Sequence, residues 1–172
     1  MRAGVRDQTL IFENPNRFYP IMQLLNTRTV NILLVEDNPG DVRLTQEAFK
    51  EGNMPVNLGV VMDGVEALRY LRKQHPYESV PTPDLILLDL NLPKRDGREV
   101  LEEIKTDTKL RHLPVVVLTT SNSEQDILRS YNLYVNCYIN KPVDFDKFFD
   151  IIKKIEEFWF HTAILPSSVV HA

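Results

Sequence analysis

Residues 84–93 of this 172-residue chain read Asp-Leu-Ile-Leu-Leu-Asp-Leu-Asn-Leu-Pro. The consecutive apolar residues Leu85–Leu88 are too few for a helix and predict a buried strand. Strands that are apolar on both faces are typical of a parallel sheet covered by helices on both sides. The stretch therefore predicts an α/β fold in which Asp89 directly follows a buried strand.

Further short apolar runs predict more strands, and amphipathic segments separate them. The predicted strands cover residues 32–35, 58–61, 85–88, 115–118 and 137–139. The predicted helices cover about 41–51, 64–74, 97–107 and 124–134, with a last helix beginning near Asp144. Ser123, three residues before Asp126, is typical of a helix N-cap. Strict alternation of strands and helices predicts a doubly wound (βα)5 domain with a five-stranded parallel sheet.

Composition argues against several classes of protein. The chain is 43% hydrophobic and 26% charged, and no apolar run approaches the roughly 20 residues of a membrane span, so we expect a cytoplasmic protein with no membrane partner. A single cysteine, Cys137, and four scattered histidines indicate neither an internal disulfide nor a zinc site. The net charge of -4 argues against wholesale nucleic-acid binding.

The length of the chain fits one domain. We expect this domain to cover residues 30–160, between an irregular N-terminal arm of residues 1–29 and a C-terminal tail of residues 161–172. The arm lacks the continuous apolar segment of a secretory signal, and Asn14-Pro15-Asn16 interrupts its short apolar pieces. The tail has no helical or alternating pattern, so neither end predicts a second domain.

Polar residues follow four of the predicted strands, at the point where each strand ends. In chain order they are Glu36 and Asp37, Asp89, Thr119, and Lys141. Ligands of such sheets bind beyond the carboxyl ends of the strands, so we expect these side chains to meet. Clustered carboxylates repel one another unless a cation is present, and oxygen ligands favour Mg2+. Singly, each residue is more often a turn, cap or surface residue; together they predict a magnesium-dependent phosphoryl site.

The same segments resemble the receiver family of response regulators, typified by the chemotaxis regulator CheY. The resemblance covers about residues 30–158 and rests on Ile-Leu-Leu-Val-Glu-Asp-Asn (32–38), the stretch 84–93, Pro-Val-Val-Val-Leu-Thr-Thr (114–120) and Tyr-Ile-Asn-Lys-Pro (138–142). It implies a flavodoxin-like sheet with the strand order 2-1-3-4-5, and the length of the chain predicts a receiver without an output domain. It also implies a histidine kinase as phosphoryl donor, the chain itself being a switch and not an enzyme in the ordinary sense.

The resemblance also implies the residues of the metal site. Asp89 would be the phosphoacceptor and, together with Asp37, a direct ligand of Mg2+. Glu36 would act through a metal-bound water, and Asn91 would contribute its backbone carbonyl.

The phosphoryl pocket and its switch are implied in the same way. Thr119 and Lys141 would bind the phosphoryl oxygens, and a cis peptide between Lys141 and Pro142 would aim the ammonium into the pocket. Tyr138 matches the aromatic switch position of the family. On phosphorylation we expect Thr119 to move toward the phosphoryl group and Tyr138 to turn inward, which reshapes the face of the fourth helix, fifth strand and fifth helix. Thr120 departs from the Ala or Ser of many receivers, and its extra methyl would narrow the site.

The last predicted helix indicates a partner surface. On a helical wheel, the stripe expected to cover the sheet consists of Phe145, Phe148, Phe149, Ile152 and Trp159. Beside it lie Ile151, Ile155 and Phe158, which widen the apolar surface beyond what one sheet contact needs. These three residues predict a homodimer through the face of the fourth helix, fifth strand and fifth helix.

Several segments resemble, more narrowly, the small response regulators of cyanobacterial and bacterial phytochromes. They include Glu-Asp-Asn-Pro-Gly-Asp (36–41), Asp-Gly-Val-Glu-Ala-Leu (63–68), the long connection 73–83 and Phe-Trp-Phe (158–160). The implied donor is a phytochrome-type histidine kinase.

A haloacid-dehalogenase-like phosphatase is the alternative function, because it also uses an aspartyl nucleophile, Mg2+ and a lysine. It would need a second aspartate two residues after Asp89, where this chain has Asn91. A receiver that serves only as a binding module would be expected to lack part of the acidic cluster. A flavodoxin-like cofactor binder would need a loop after the first strand that binds phosphate. Residues 38–41 are too few and too acidic for such a loop.

Overall fold

A computed structural model describes residues 29–52 and 54–166. Its strands are β1 (Val30–Val35), β2 (Val56–Val61), β3 (Leu85–Leu88), β4 (Val115–Thr119) and β5 (Cys137–Asn140). Its helices are α1 (Pro39–Lys50), α2 (Gly64–Leu71), α3 (Gly97–Thr106), α4 (Glu124–Asn132) and α5 (Phe145–Glu156), followed by a π-helical segment (Glu157–Thr162). Residues 1–28 of the predicted arm and 167–172 of the predicted tail lie outside the described residues.

The strands form one parallel sheet in the order β2-β1-β3-β4-β5, which confirms the predicted fold and strand order. Val35 at the end of β1 is level with Val61 at the end of β2 and with Leu88 at the end of β3. The residues that follow these strands therefore emerge side by side at one edge of the sheet.

Two apolar layers cover the sheet, as expected for strands with both faces buried. α2 and α3 close one face with residues such as Leu68 and Leu101, and α1 and α5 close the other with residues such as Phe49 and Ile152. α4 differs from the other helices, because Ser130 is its one buried residue. Within the described ranges, no helix has the length and apolar character needed to cross a membrane.

Each of the helices α1 to α5 begins directly after a side chain that caps its first turn. The capping residues, in chain order, are Asn38, Asp63, Asp96, Ser123 and Asp144. Ser123 accepts a hydrogen bond from the N–H of Asp126 at 3.4 Å, as its spacing predicted. Because the helices start near the strand ends, the caps stabilise the same edge of the sheet on which the predicted site lies.

The buried stripe of α5 differs from the predicted one. Phe148, Ile152 and Ile155 are buried at helical spacings of four and three residues, whereas Phe145 in the first turn is 55% exposed. The prediction that Ile155 belongs to an exposed interface is wrong, because this side chain packs in the core.

The other two residues predicted at the interface also lie differently. Ile151 packs against the core layer of α1 and α5, and Phe158 lies beyond α5, half exposed, with its ring edge-on to Trp159. Apolar residues occupy so much of the circumference of α5 that the sequence did not decide which stripe is buried. On and just after α4, the exposed apolar side chains are Leu128, Tyr131 and Tyr134.

Two further predictions differ from the structure: the form of the peptide bond before Pro142 and the residue at which the domain ends. The one cis peptide bond among the described residues joins His75 and Pro76, so the predicted cis bond between Lys141 and Pro142 is wrong. The trans form is the ordinary state of a bond to proline. Leu165 is buried in the same core layer as α5, so packing continues past residue 160, where the domain was predicted to end.

Candidate functional site

Backbone pairing brings the ends of β1 and β3 together. The N–H of Asp89 donates to the carbonyl of Val35 at 3.0 Å, and the N–H of Glu36 donates to the carbonyl of Val61 at 3.0 Å. Both carboxylate residues are buried, with only 2% of Glu36 and 6% of Asp89 exposed. Burying two carboxylates side by side is costly unless positive charge compensates them.

Lys141 supplies that charge. Its ammonium donates to Asp89 Oδ2 at 2.8 Å, to Asp41 Oδ2 at 3.0 Å, and to Glu36 Oε2. An ammonium has three N–H donors, and these three contacts give each donor one carboxylate partner. Burial lowers the pKa of Lys141, but the neighbouring charges of Glu36 and Asp89 raise it by more, so the pKa lies above its ordinary value. The side chain is therefore charged at neutral pH.

The two buried carboxyl groups differ in their pKa values. Burial raises the pKa of Glu36, and the charge and hydrogen bond of Lys141 do not fully offset this. Burial also acts to raise the pKa of Asp89, but the charge of Lys141 and a hydrogen bond from the N–H of Asn91 outweigh it, so the pKa is lowered. Asp89 is thus held as the ionised group, which is the form a nucleophile needs.

Three of the predicted metal ligands form one acidic cluster. Glu36, Asp37 and Asp89 each offer a carboxylate oxygen, and these oxygens all lie within 4.8 Å of one another. The ligands of this cluster are all carboxylate oxygens, and two of the three carboxylates are buried. Such a set of oxygen ligands fits a hard divalent cation. For Asn91 the structure shows its N–H donating to Asp89 Oδ1 at 3.0 Å. The role of its carbonyl as a ligand stays a prediction.

Thr119 lies at the end of β4, fully buried beside this cluster. Its hydroxyl oxygen is 3.4 Å from the N–H of Ser121 and 3.5 Å from the side-chain amide of Asn91. A hydrogen bond from the Thr119 side chain also contributes to the low pKa of Asp89. Thr120 is exposed and accepts from the Asn91 amide at 3.3 Å, so its side chain lies at the mouth of the pocket.

Tyr138 on β5 is connected to the loop that leaves β4. Its hydroxyl donates to the carbonyl of Ser121 at 3.0 Å, and its ring packs against the core layer of α2 and α3. This is the inward orientation that we expect for the phosphorylated form. The movement of Tyr138 and Thr119 on phosphorylation stays a prediction.

Gly97 allows α3 to start against the backbone of the phosphoacceptor position. A Cβ atom there would collide with the carbonyl oxygen of Asp89 and lie 2.6 Å from the Cα of Leu90. Any larger residue would push α3 away from the end of β3.

Sequence reasoning missed Asp41, the third carboxylate bound to Lys141. Asp41 lies in the first turn of α1, four residues after Asp37. The signal that could have found it is this spacing, since a residue one turn into a helix that starts at a strand end faces the same edge of the sheet.

A family model described as "Response regulator receiver domain" matches residues 32–153. The chain belongs to the response regulator receiver family. Response regulator Rcp1 of Synechocystis sp. is 50% identical to it over 137 residues, which are 80% of this chain and 93% of that protein. The haloacid-dehalogenase alternative is not supported.

Solved structures of receiver proteins agree with this assignment. The phosphorylated cyanobacterial phytochrome response regulator RcpA is 55% identical, covers 81% of this chain and 99% of its own, and superimposes with a TM-score of 0.79. The Mn(2+)-bound form of Rcp1 is 50% identical, covers 80% of this chain and 99% of its own, and has a TM-score of 0.77. The predicted resemblance to phytochrome response regulators is confirmed.

Proposed function

We propose that this receiver domain is a phosphorylation switch in which Asp89 accepts a phosphoryl group from a histidine kinase. The observation that carries the proposal is the ion pair of buried Asp89 with Lys141, 2.8 Å apart. A second support is the acidic cluster of Glu36, Asp37 and Asp89, whose oxygens lie within 4.8 Å of one another. A nucleophile, a cation site and a fixed ammonium are the parts that phosphoryl transfer needs.

Asp89 is the nucleophile of the proposed reaction. One of its oxygens attacks the phosphorus of a phosphohistidine, a phosphorus–oxygen bond forms, and the phosphorus–nitrogen bond breaks. The imidazole leaves with the bonding electron pair and takes up a proton. Lys141 and the hydroxyl of Thr119 stabilise the transferred oxygens by hydrogen bonds. The domain keeps the phosphoryl group as an acyl phosphate, so we propose a switch and not an enzyme that turns over a substrate.

Mg2+ is the cofactor in this proposal, with Asp37 and Asp89 as direct ligands. Glu36 would hold it through a water and Asn91 through its backbone carbonyl. When bound, the ion offsets negative charge that develops on the transferred oxygens. The support is a set of oxygen ligands alone, which suits Mg2+ better than a softer metal.

The proposed donor is a phytochrome-type histidine kinase, since the chain is more than half identical to RcpA, a phytochrome response regulator. A cytoplasmic location belongs to the same proposal, because the kinase takes its phosphoryl group from ATP inside the cell.

Phosphotransfer tests both the acceptor and the donor. A purified phytochrome-type kinase, labelled on its histidine, is mixed with the wild-type chain or with Asp89→Asn in the presence of Mg2+. We expect rapid labelling of the wild type and none of Asp89→Asn, because the amide lacks a nucleophilic oxygen anion. Removal of Mg2+ with a chelator should prevent labelling.

The outcomes separate the parts of the proposal. Label persisting on Asp89→Asn would remove Asp89 as the acceptor. Rapid labelling by an unrelated histidine kinase, with none from the phytochrome-type kinase, would leave Asp89 in place and remove the donor. Repeated turnover of a phosphomonoester would contradict a switch.

A homodimer through α4, β5 and the start of α5 is a second part of the proposal. This side of the molecule carries the large exposed apolar side chains Leu128, Tyr131, Tyr134, Val143 and Phe145. The neighbouring β5 is an edge strand with its apolar residues only partly buried. An exposed aromatic and aliphatic patch beside a sheet edge supports a second copy of the chain as its partner.

A further inference from the structure

Ser121, two residues after Thr119, contacts both parts of the proposed switch. Its N–H donates to the Thr119 hydroxyl oxygen at 3.4 Å, and its carbonyl accepts from the Tyr138 hydroxyl at 3.0 Å and from the Asn140 amide at 3.1 Å. The orientation of this one peptide segment therefore affects the hydroxyl at the pocket and the aromatic ring on β5 together.

The contact between Ser121 and Thr119 bears on where the threonine proton points. A hydroxyl has one donor and two acceptor positions. The N–H of Ser121 and the amide of Asn91 occupy the acceptor positions of Thr119, at 3.4 and 3.5 Å. The single O–H of Thr119 is then left as a donor for an oxygen in the pocket at the end of β4.

An ion pair between α3 and α4 fixes the side chain of Ser121. The hydroxyl of Ser121 donates to Asp126 Oδ2 at 2.5 Å. Arg98 on α3 binds the same carboxylate with two nitrogens, Nε to Oδ1 at 2.5 Å and Nη2 to Oδ2. Such bidentate pairs fix geometry as well as contributing energy. Only 21% of the Arg98 side chain and 14% of the Asp126 side chain are exposed, so water screens the pair weakly.

The ion pair stays charged over the whole range of physiological pH. The hydrogen bond from Arg98 is the largest cause of a pKa of about 2 for Asp126, and the hydrogen bond from Ser121 adds to it. Arg98 also donates to Asp96, the cap of α3, at 3.0 Å. The guanidinium thus ties the first turn of α3 to the first turn of α4.

We propose that Arg98 and Asp126 are positioning residues for phosphoacceptance: through Ser121 they fix the orientation of the Thr119 hydroxyl in the pocket and hold Tyr138 inward. This inference rests on the proposed function, because it concerns the same pocket. Neither residue touches the phosphoryl group or the metal ligands. The pair acts by stabilising the arrangement of the loop that binds phosphoryl oxygens, so a larger fraction of the molecules has this arrangement before the phosphoryl group arrives.

A second ion pair between the same two helices provides a matched control. Arg129 on α4 donates to Glu102 on α3 at 3.0 Å, and both side chains are 51% exposed. This pair also joins α3 to α4 but has no contact with Ser121. Arg98→Met and Arg129→Met therefore each remove one guanidinium between the helices, and only the first one releases the loop.

The test measures binding of beryllofluoride, which mimics the phosphoryl group on Asp89, by calorimetry in saturating Mg2+. We expect binding by Arg98→Met to be about threefold to tenfold weaker than by the wild type, the effect of losing roughly one hydrogen-bonded contact. Asp126→Ala and Ser121→Ala should also bind beryllofluoride more weakly than the wild type. Ser121→Thr keeps the hydroxyl and should bind it about as tightly as the wild type. Arg129→Met should bind as the wild type does.

Two further readouts separate positioning from a general loss of structure. Mg2+ affinity without beryllofluoride should be unchanged in Arg98→Met, because its carboxylate ligands are untouched. The fluorine signal of Tyr138 in fluorotyrosine-labelled protein, assigned with Tyr138→Phe, should shift toward that of an exposed ring in Arg98→Met and stay in place in Arg129→Met.

The proposal is overturned if Arg98→Met binds beryllofluoride as tightly as the wild type, or if Arg129→Met is weakened equally. If Arg98→Met does not fold, Ser121→Ala decides alone, because it removes only the hydroxyl. A wild type that binds no beryllofluoride at all would overturn the proposed function itself and the positioning role with it.

Discussion

The ammonium of Lys141 lies in a pocket in which 3% of its side chain is exposed, and each of its donors has a carboxylate partner. The motif that ends in Lys141 and Pro142 predicted the residue, and the strand-end rule predicted its meeting with Glu36 and Asp89. Asp41 was not predicted, because its contact depends on the direction of the first turn of α1. The network of Ser121 and Arg98 was also not predictable, since it depends on the packing of α3 against α4.

Replacing Lys141 tests this charge balance. Lys141→Met leaves the surrounding carboxylates without their buried cation, so we expect the free energy of unfolding in a chelator to fall by about 3 kcal/mol. Mg2+ should recover more stability in this variant than in the wild type, because the ion replaces the missing positive charge. Urea unfolding with and without Mg2+ measures both effects.

Lys105→Met is a suitable control for that experiment. Lys105 is also partly buried and donates to the carbonyl of Leu113 at 3.1 Å and to Asn136 at 3.0 Å, but no carboxylate of the site contacts it. Its loss of stability should not depend on Mg2+. An equal gain from Mg2+ in both variants would show that Lys141 does not neutralise the metal site.

At the scale of single elements, the sequence predicted the existence and order of β1–β5 and α1–α5 but not the π-helical segment after α5, because the apolar period changes from strand to helix at each predicted boundary. It failed on the buried stripe of α5, where aromatic and aliphatic side chains span a wide arc of the helix. It also gave no structure for the connection from α2 to β3, where Tyr77 donates to Glu66 at 2.7 Å and its ring lies 5.4 Å from that of Tyr70.

The Tyr77 hydrogen bond to α2 should have a measurable dependence on pH. Burial and the contact with Glu66 raise the pKa of Tyr77 to about 12. Since the folded-state pKa is above the ordinary value of 10, the protonated hydroxyl stabilises the fold fully below pH 10, and this contribution is lost as the pH rises toward 12. Tyr77→Phe should therefore lower the free energy of unfolding by about 1 kcal/mol at neutral pH.

Denaturant titrations at several pH values check this prediction. The difference between the wild type and Tyr77→Phe should be constant up to pH 10 and shrink above it. Tyr134→Phe, at an exposed ring, should change stability by less than about 0.5 kcal/mol. A difference for Tyr77→Phe that grows above pH 10 would contradict the assigned hydrogen bond.

For the whole molecule, the distribution of exposed apolar side chains indicates where a second copy would bind. The sequence placed this surface on the face of α4, β5 and α5 but chose Ile151, Ile155 and Phe158 to form it. The structure buries Ile155 and exposes Tyr131 by 52% on α4. Burial of individual helix residues depends on how the helix is rotated against the sheet, which one sequence with a wide apolar arc does not specify.

Two charge substitutions distinguish the surfaces. Tyr131→Glu should convert the homodimer to a monomer, because a carboxylate would be buried in an apolar contact, while the fold keeps its stability to within about 0.5 kcal/mol. Phe158→Glu, at a ring exposed by 54% beyond α5, should leave the dimer intact. Sedimentation at tens of micromolar protein, with and without beryllofluoride, measures the association. Dissociation by Phe158→Glu alone would favour the surface that the sequence first indicated.

α4 packs loosely on the domain, with one buried residue in its whole length. Substitutions in α4 and substitutions in the phosphoryl pocket therefore have different effects on stability. Substitution of Glu36, Asp89 or Lys141 alters buried charge and therefore affects folding and chemistry together. Substitution on the outer surface of α4 removes almost no core contact and has little cost in stability. A lineage of such proteins could exchange one binding partner for another by changing the outer surface of α4, away from Asp126, while its phosphoryl chemistry stayed the same.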